Sequence, residues 1–461
     1  MAILAAFMVP HPPMIVPAIG KGAEESVKET IEAYDKVADM IAELQPETII
    51  ITSPHSIMYS DYFHISPGKS AKGSFASFRA PEVFFEEEYD DVLVDCINEI
   101  AYEQDFPAGT LGEREPELDH GTMVPLWFIR KKYKGGKIVR IGLSGLGLLD
   151  HYRFGEMIKQ AVDETGRNVV FVASGDLSHK LQEYGPYGFA KEGPIYDERI
   201  MDVAARGAFG ELFDFREDFC DKAAECGHRS FVIMAGALDG MDVDATVYSH
   251  QDVTGVGYGI ASFYPKVEDK SRHFRLNYLE KIKSDIASEK DSADAYVSLA
   301  SRTIKSFIMN KEVIDVPDNL PAEMLTKQAG AFVSIHKNGR LRGCIGTIAP
   351  TTDCVAIEII QNAISASTRD SRFNPISPEE LPFLEINVDV LTEPEDIASP
   401  DELDVKRYGV IVSSGNRRGL LLPDLEGVDT IEQQVSIARQ KGGIGDDEPI
   451  NLQRFEVIRH K

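Results

Sequence analysis

Two short β-branched runs separated by one amphipathic helix constrain this chain more than any other feature. Residues 3–9 (ILAAFMV) and 48–52 (TIIIT) are strand-like, and between them Val27, Ile31, Tyr34, Val37, Ile41 and Leu44 recur at helical spacing over 25–44. Short continuous apolar runs are the mark of strands buried on both faces. The unit reads as βαβ, and parallel strands need such a helical crossover. The strand signal returns at 137–143 and at 168–173 (NVVFVA), with closing strands expected at 246–249 and 257–263. The alternation predicts an α/β domain, a mostly parallel central sheet flanked by helices.

The texture changes after PKVEDKSR, a polar stretch beginning at Pro265. Beyond it a helix over 293–309 precedes FVSIHKNGRLRGCIGTI, two strands joined at Asn338-Gly339, a strong hairpin signal. A second hairpin is expected around Gly415-Asn416, with helices over 354–367 and 430–441. This predicts a smaller α+β domain. The expected division is 1–265, a linker over 266–284, and a second domain over 285–461, in keeping with a chain of 461 residues.

A formal net charge of −27 argues against nucleic acid as a partner. The five cysteines are scattered with no C-x-x-C pair, so neither a disulfide framework nor a thiolate zinc knuckle is indicated. No apolar stretch is long enough for a membrane span, and the apolar start has no basic flank, so a cytoplasmic protein is the expectation.

Three of the eleven histidines lie just past the carboxyl ends of expected strands. They are His11 in PHPP, His55 in SPHS and His179 in GDLSH. Ligands of open α/β sheets bind outside those strand ends. One such histidine would mean little; three point to a metal or acid–base site, and the prolines stiffen the first loop. His120, in LDHGT, is a fourth candidate. A third ligand is offered by ECGH, which carries Glu225 and Cys226. Neighbours in an extended segment point apart, so only one of the two is expected to face the site. Two histidines with a carboxylate suit ferrous iron, whereas a thiolate suits softer or non-redox metals.

With PHPP, SPHS, LDHG and GDLSH in this order, residues 1–265 resemble the class III extradiol ring-cleavage dioxygenases (the catalytic-subunit superfamily) and the related Memo proteins. The resemblance implies His11 and His55 as metal ligands with Glu225 as the third. It implies His179 as the acid–base residue and His120 as a group that hydrogen-bonds substrate or dioxygen. It further implies Fe(II), a catecholic or aminophenolic substrate and dioxygen. Cys226-Gly227 is similar to the segment where Memo proteins carry a metal-binding cysteine. If Cys226 replaces Glu225, zinc or another divalent ion and a non-oxygenase function are implied instead. Residues 285–461 resemble the AMMECR family through LRGCIGT, RDSRFNPI and LLLPD. That match implies no activity; its association with radical-SAM proteins makes one of these a candidate partner, as is a second copy of this chain.

Outside these motifs the plain structural reading prevails. Cys344 is expected to be a small buried apolar residue, and the acidic run Glu86-Glu87-Glu88 a solvated face.

Overall fold

The computed structural model describes residues 3–337, 339–425 and 427–461, with side chains except at 289–292. The chain forms two compact units, Met1–Tyr278 and Leu279–Lys461. The longer elements are labelled here in chain order.

The first unit is built on six strands, β1 (Ile3–Val9), β2 (Thr48–Ser53), β3 (Lys137–Gly142), β4 (Val169–Ser174), β5 (Met241–Gln251) and β6 (Tyr258–Glu268). Their order across the sheet is β3-β2-β4-β1-β6-β5. The first four are parallel; β6 and β5 close the edge antiparallel. Alternate residues feed opposite faces, as the pleat requires. Ala5, Phe7, Ile49 and Ile51 enter one core, while Ala6, Met8 and Ile50 enter the other. Each fully buried isoleucine contributes about 2 kcal/mol of apolar burial.

Helices α1 (Lys28–Leu44) and α3 (His120–Lys132) cover the first face. Helices α2 (Asp91–Glu103), α4 (Leu148–Thr165), α5 (Glu192–Arg206) and α6 (His228–Ala237) cover the second. The crossover from β1 to β2 skips one place, which β4 fills. The carboxyl ends of β1, β4 and β2 therefore lie side by side.

The stretch 266–284 carries the end of β6 and the start of α7 (Phe274–Ser292), and the division between units falls after Tyr278. The acidic run lies on a strand (Ala80–Glu88) paired with Ser70–Phe75; Glu86 and Glu88 are exposed, as expected, while Glu87 is buried against Arg130. Charge pairing across a strand pair hides from a search for apolar alternation.

The second unit carries β7 (Ala331–Lys337), β8 (Arg340–Gly346), β9 (Leu384–Leu391), β10 (Glu395–Ile397), β11 (Tyr408–Ser414), β12 (Arg417–Leu421) and β13 (Asn451–His460). These form one antiparallel sheet ordered β8-β7-β9-β13-β11-β12, with β10 against β13. Helices α8 (Ala295–Asn310) and α9 (Val355–Thr368) pack their apolar faces on Val333, Ile335 and Val388. The unit is α+β, as expected. Asn338, placed at a hairpin tip by the sequence, lies outside the described residues; the Gly415-Asn416 turn joins β11 to β12.

Candidate metal centre

The corner after β1 contains three prolines, which donate no amide hydrogen. The one donor among them, the His11 N–H, is taken by Asp176 Oδ1 at 2.8 Å. Gly175 N–H donates to Val9 O, extending the β1–β4 ladder past the strand ends, and Tyr34 OH donates to Pro10 O. The imidazole is thus mounted on a hydrogen-bonded corner.

The His11 ring is fixed in one tautomer. Ser174 Oγ lies 2.6 Å from Gly121 O, so its single proton goes to that carbonyl. The hydroxyl must then accept from His11 Nδ1–H, 2.9 Å away. His11 Nε2 keeps a lone pair, and it points to His55 Nε2 at 3.0 Å and Cys226 Sγ at 3.6 Å. His11 is buried and Cys226 half-buried, while His55 is exposed. One lone pair cannot accept from both an N–H and an S–H at full strength. A cation receiving all three donors removes that conflict, so this N₂S set fits a metal ion.

The remaining imidazoles flank this set. The His120 ring lies 4.0 Å from the His55 ring and packs edge-on against Phe78. It stands at the start of α3, where Asp119 caps the helix by accepting from Thr122 N and also accepts from Ser53 Oγ. Buried Arg140, on β3, holds the approach to α3 through the carbonyls of Glu115 and Glu117. His179 stacks on Tyr187, and its Nε2 is buried without a hydrogen-bond partner.

Burial sets the charge state. It lowers the His11 and His55 imidazoles, and takes His120 and His179 to about 4. The Cys226 thiol is raised well above its ordinary range, again by burial first and then by Asp176. The metal-free site is therefore neutral at its nitrogens and sulfur, and a cation entering it displaces the thiol proton.

Four of the five residues expected at the site, His11, His55, His120 and His179, gather here. Glu225, expected as the third ligand, is not among the residues brought together. Its carboxylate accepts from His228 N at 2.6 Å, capping the first turn of α6. The chain crosses Asp176 at this point, with Asp176 N–H donating to Cys226 Sγ at 3.2 Å and Gly227 N–H to Asp176 O at 3.0 Å. That crossing turns Cys226 inward and its neighbour toward the helix. It needs glycine on both sides: a Cβ on Gly175 would come within 2.1 Å of Gly227 Cα. Asp176, Ser174 and Tyr34 are the site's supports that the sequence reading left unassigned or secondary. The aspartate in GDLSH, one residue past the β4 glycine, was the available signal.

A candidate donor cluster at the carboxyl edge of a mostly parallel sheet, with an antiparallel α+β unit after it in the chain, defines a two-unit protein whose first unit is α/β. Residues 5–261 match the family described as the catalytic LigB subunit of aromatic ring-opening dioxygenase, and the chain belongs to that family. Residues 297–460 match the family AMMECR1. A Clostridium acetobutylicum protein is 41% identical over 470 residues, covering 100% of both chains. A Thermotoga maritima protein is 49% identical over 168 residues, which is 36% of this chain and 97% of that one. A solved uncharacterized Escherichia coli K12 protein covers 56% of this chain and 99% of its own, at 15% identity and a TM-score of 0.37.

Proposed function

We propose that the first unit is a metal-dependent enzyme of the ring-opening dioxygenase type, acting on a catecholic or aminophenolic small molecule with dioxygen. The observation that carries this reading is the convergence of His11 Nε2, His55 Nε2 and Cys226 Sγ on one point beside two further imidazoles. These three residues would hold the ion. When bound, it supplies a Lewis acid for a chelating substrate and, if it is Fe(II), a redox partner for dioxygen.

The chain's own groups prepare the rest. His120, kept neutral by burial, can hydrogen-bond a substrate hydroxyl or dioxygen through its ring. Phe78 beside His120 and Tyr187 over His179 supply aromatic surface on which a planar ring can lie. His179 Nε2, buried and without a hydrogen-bond partner, is the group proposed to serve in acid–base chemistry.

Cys226 favours a second reading. A thiolate in place of a carboxylate suits zinc or another soft ion, and with it chemistry that does not consume dioxygen. Anaerobic purification, metal analysis and oxygen uptake over a panel of catechols and aminophenols separate the two. Stoichiometric iron with uptake supports the oxygenase. A filled metal site with no uptake on any member contradicts it and leaves the second reading.

A further inference from the structure

Cys226 belongs to two donor triplets. One is the set already described. In the other, Cys226 Sγ, an Asp176 carboxylate oxygen and a His179 ring nitrogen all lie within 4.8 Å of one another. We propose that the centre holds a second cation on Asp176, His179 and Cys226, with the Cys226 thiolate bridging the two ions. This rests on the reading that a first ion sits on His11, His55 and Cys226.

Three observations support the second position. His179 Nε2 is buried and has no hydrogen-bond partner, an arrangement that costs free energy unless something else satisfies the lone pair. It stands 4.0 Å from Asp176 Oδ2, too far for a hydrogen bond but a spacing at which both atoms can bind one ion. Asp176 uses Oδ1 for the His11 N–H, which leaves Oδ2 for a cation.

Asp176 is buried, and buried carboxylates persist when they are paired or coordinate metal. The Asp176 N–H directed at Cys226 Sγ stabilises negative charge on sulfur.

The bridge is a single sulfur, so the two ions would lie a few ångströms apart, as in enzymes that hold substrate or water between paired metals. Occupancy then selects function. With one ion, His179 Nε2 is available to carry a proton. With two, it is a ligand. The second position takes a divalent ion tolerant of a mixed nitrogen, oxygen and sulfur set, such as zinc or cobalt.

The test is an anaerobic titration of the metal-free full-length chain with Co(II), followed by its thiolate charge-transfer absorption and by equilibrium dialysis. Wild type is expected to bind two equivalents that depend on this centre. His179→Ala and His179→Gln are each expected to bind one fewer while keeping the charge-transfer band. His11→Ala is also expected to bind one fewer, and Cys226→Ser to weaken both equivalents by about tenfold or more. Saturation of wild type at one equivalent overturns the second site and leaves the first intact. An unchanged count in both His179 variants overturns it equally. No equivalent dependent on His11 or Cys226 overturns the first site, and the proposal with it.

Discussion

At the residue scale, protonation ties this fold to pH. His151 is wholly buried at the start of α4, with Nδ1 donating to Gly147 O at 2.9 Å and Nε2 accepting from Ser144 N–H at 3.4 Å. Both nitrogens are thus used in the neutral form, and burial lowers the pKa to about 3. The folded pKa is depressed below the unfolded value of about 6.5. Between those values the unfolded chain binds the extra proton, so stability falls as pH drops through this window. Urea denaturation at pH 7 and pH 4 should show a loss attributable to this one group of roughly 3 kcal/mol, at 1.36 kcal/mol per unit. His151→Gln should flatten that difference; an unchanged pH dependence would refute the assignment. The same scale shows what sequence conveys. His11 was legible because prolines on both sides leave an imidazole as the only functional group of a rigid corner. The choice between Glu225 and Cys226 was not legible, because the phase of a two-residue turn depends on where the backbone of Asp176 crosses it.

At the element scale, the site depends on the close passage of the β4 end and the turn before α6. Gly175→Ala should separate Gly175 from Gly227, since the added carbon would stand 2.1 Å from Gly227 Cα. The expected result is a loss of about 2 kcal/mol or more in stability, together with weaker metal binding. Circular dichroism melts and a zinc-chelator competition measure the two effects. A variant that melts and binds like wild type would contradict the crossing. The parallel strands were readable because β-branched residues are buried on both sheet faces, as in Thr48–Ser53. The Ser70–Phe75 and Ala80–Glu88 pair was missed because facing residues such as Lys72 and Glu86 are charged and exposed, which masks the strand pattern.

At the scale of the whole molecule, the two units carry separate cores, and among the described residues both candidate donor triplets lie in the first. A bound ion stabilises only the state that holds it, by about 2.7 kcal/mol at a free concentration one hundred times Kd. Calorimetry of the full chain with added zinc should therefore raise the transition of the first unit and leave that of the second in place. Equal shifts in both would contradict the assignment of metal binding to the first unit. The two-unit plan was visible in the sequence as a change from alternating strand and helix signals to hairpins. The division after Tyr278 falls inside the 266–284 stretch read as a linker, and that stretch carries the end of β6 and the start of α7.

The central claim is that Cys226, not Glu225, completes the donor set with His11 and His55. It is tested most directly by the metal content of Cys226→Ser and Glu225→Gln, purified anaerobically beside wild type. The structure predicts that Cys226→Ser loses the ion and that Glu225→Gln, altered only at a helix cap, retains it. Metal kept by Cys226→Ser and lost from Glu225→Gln would contradict the account.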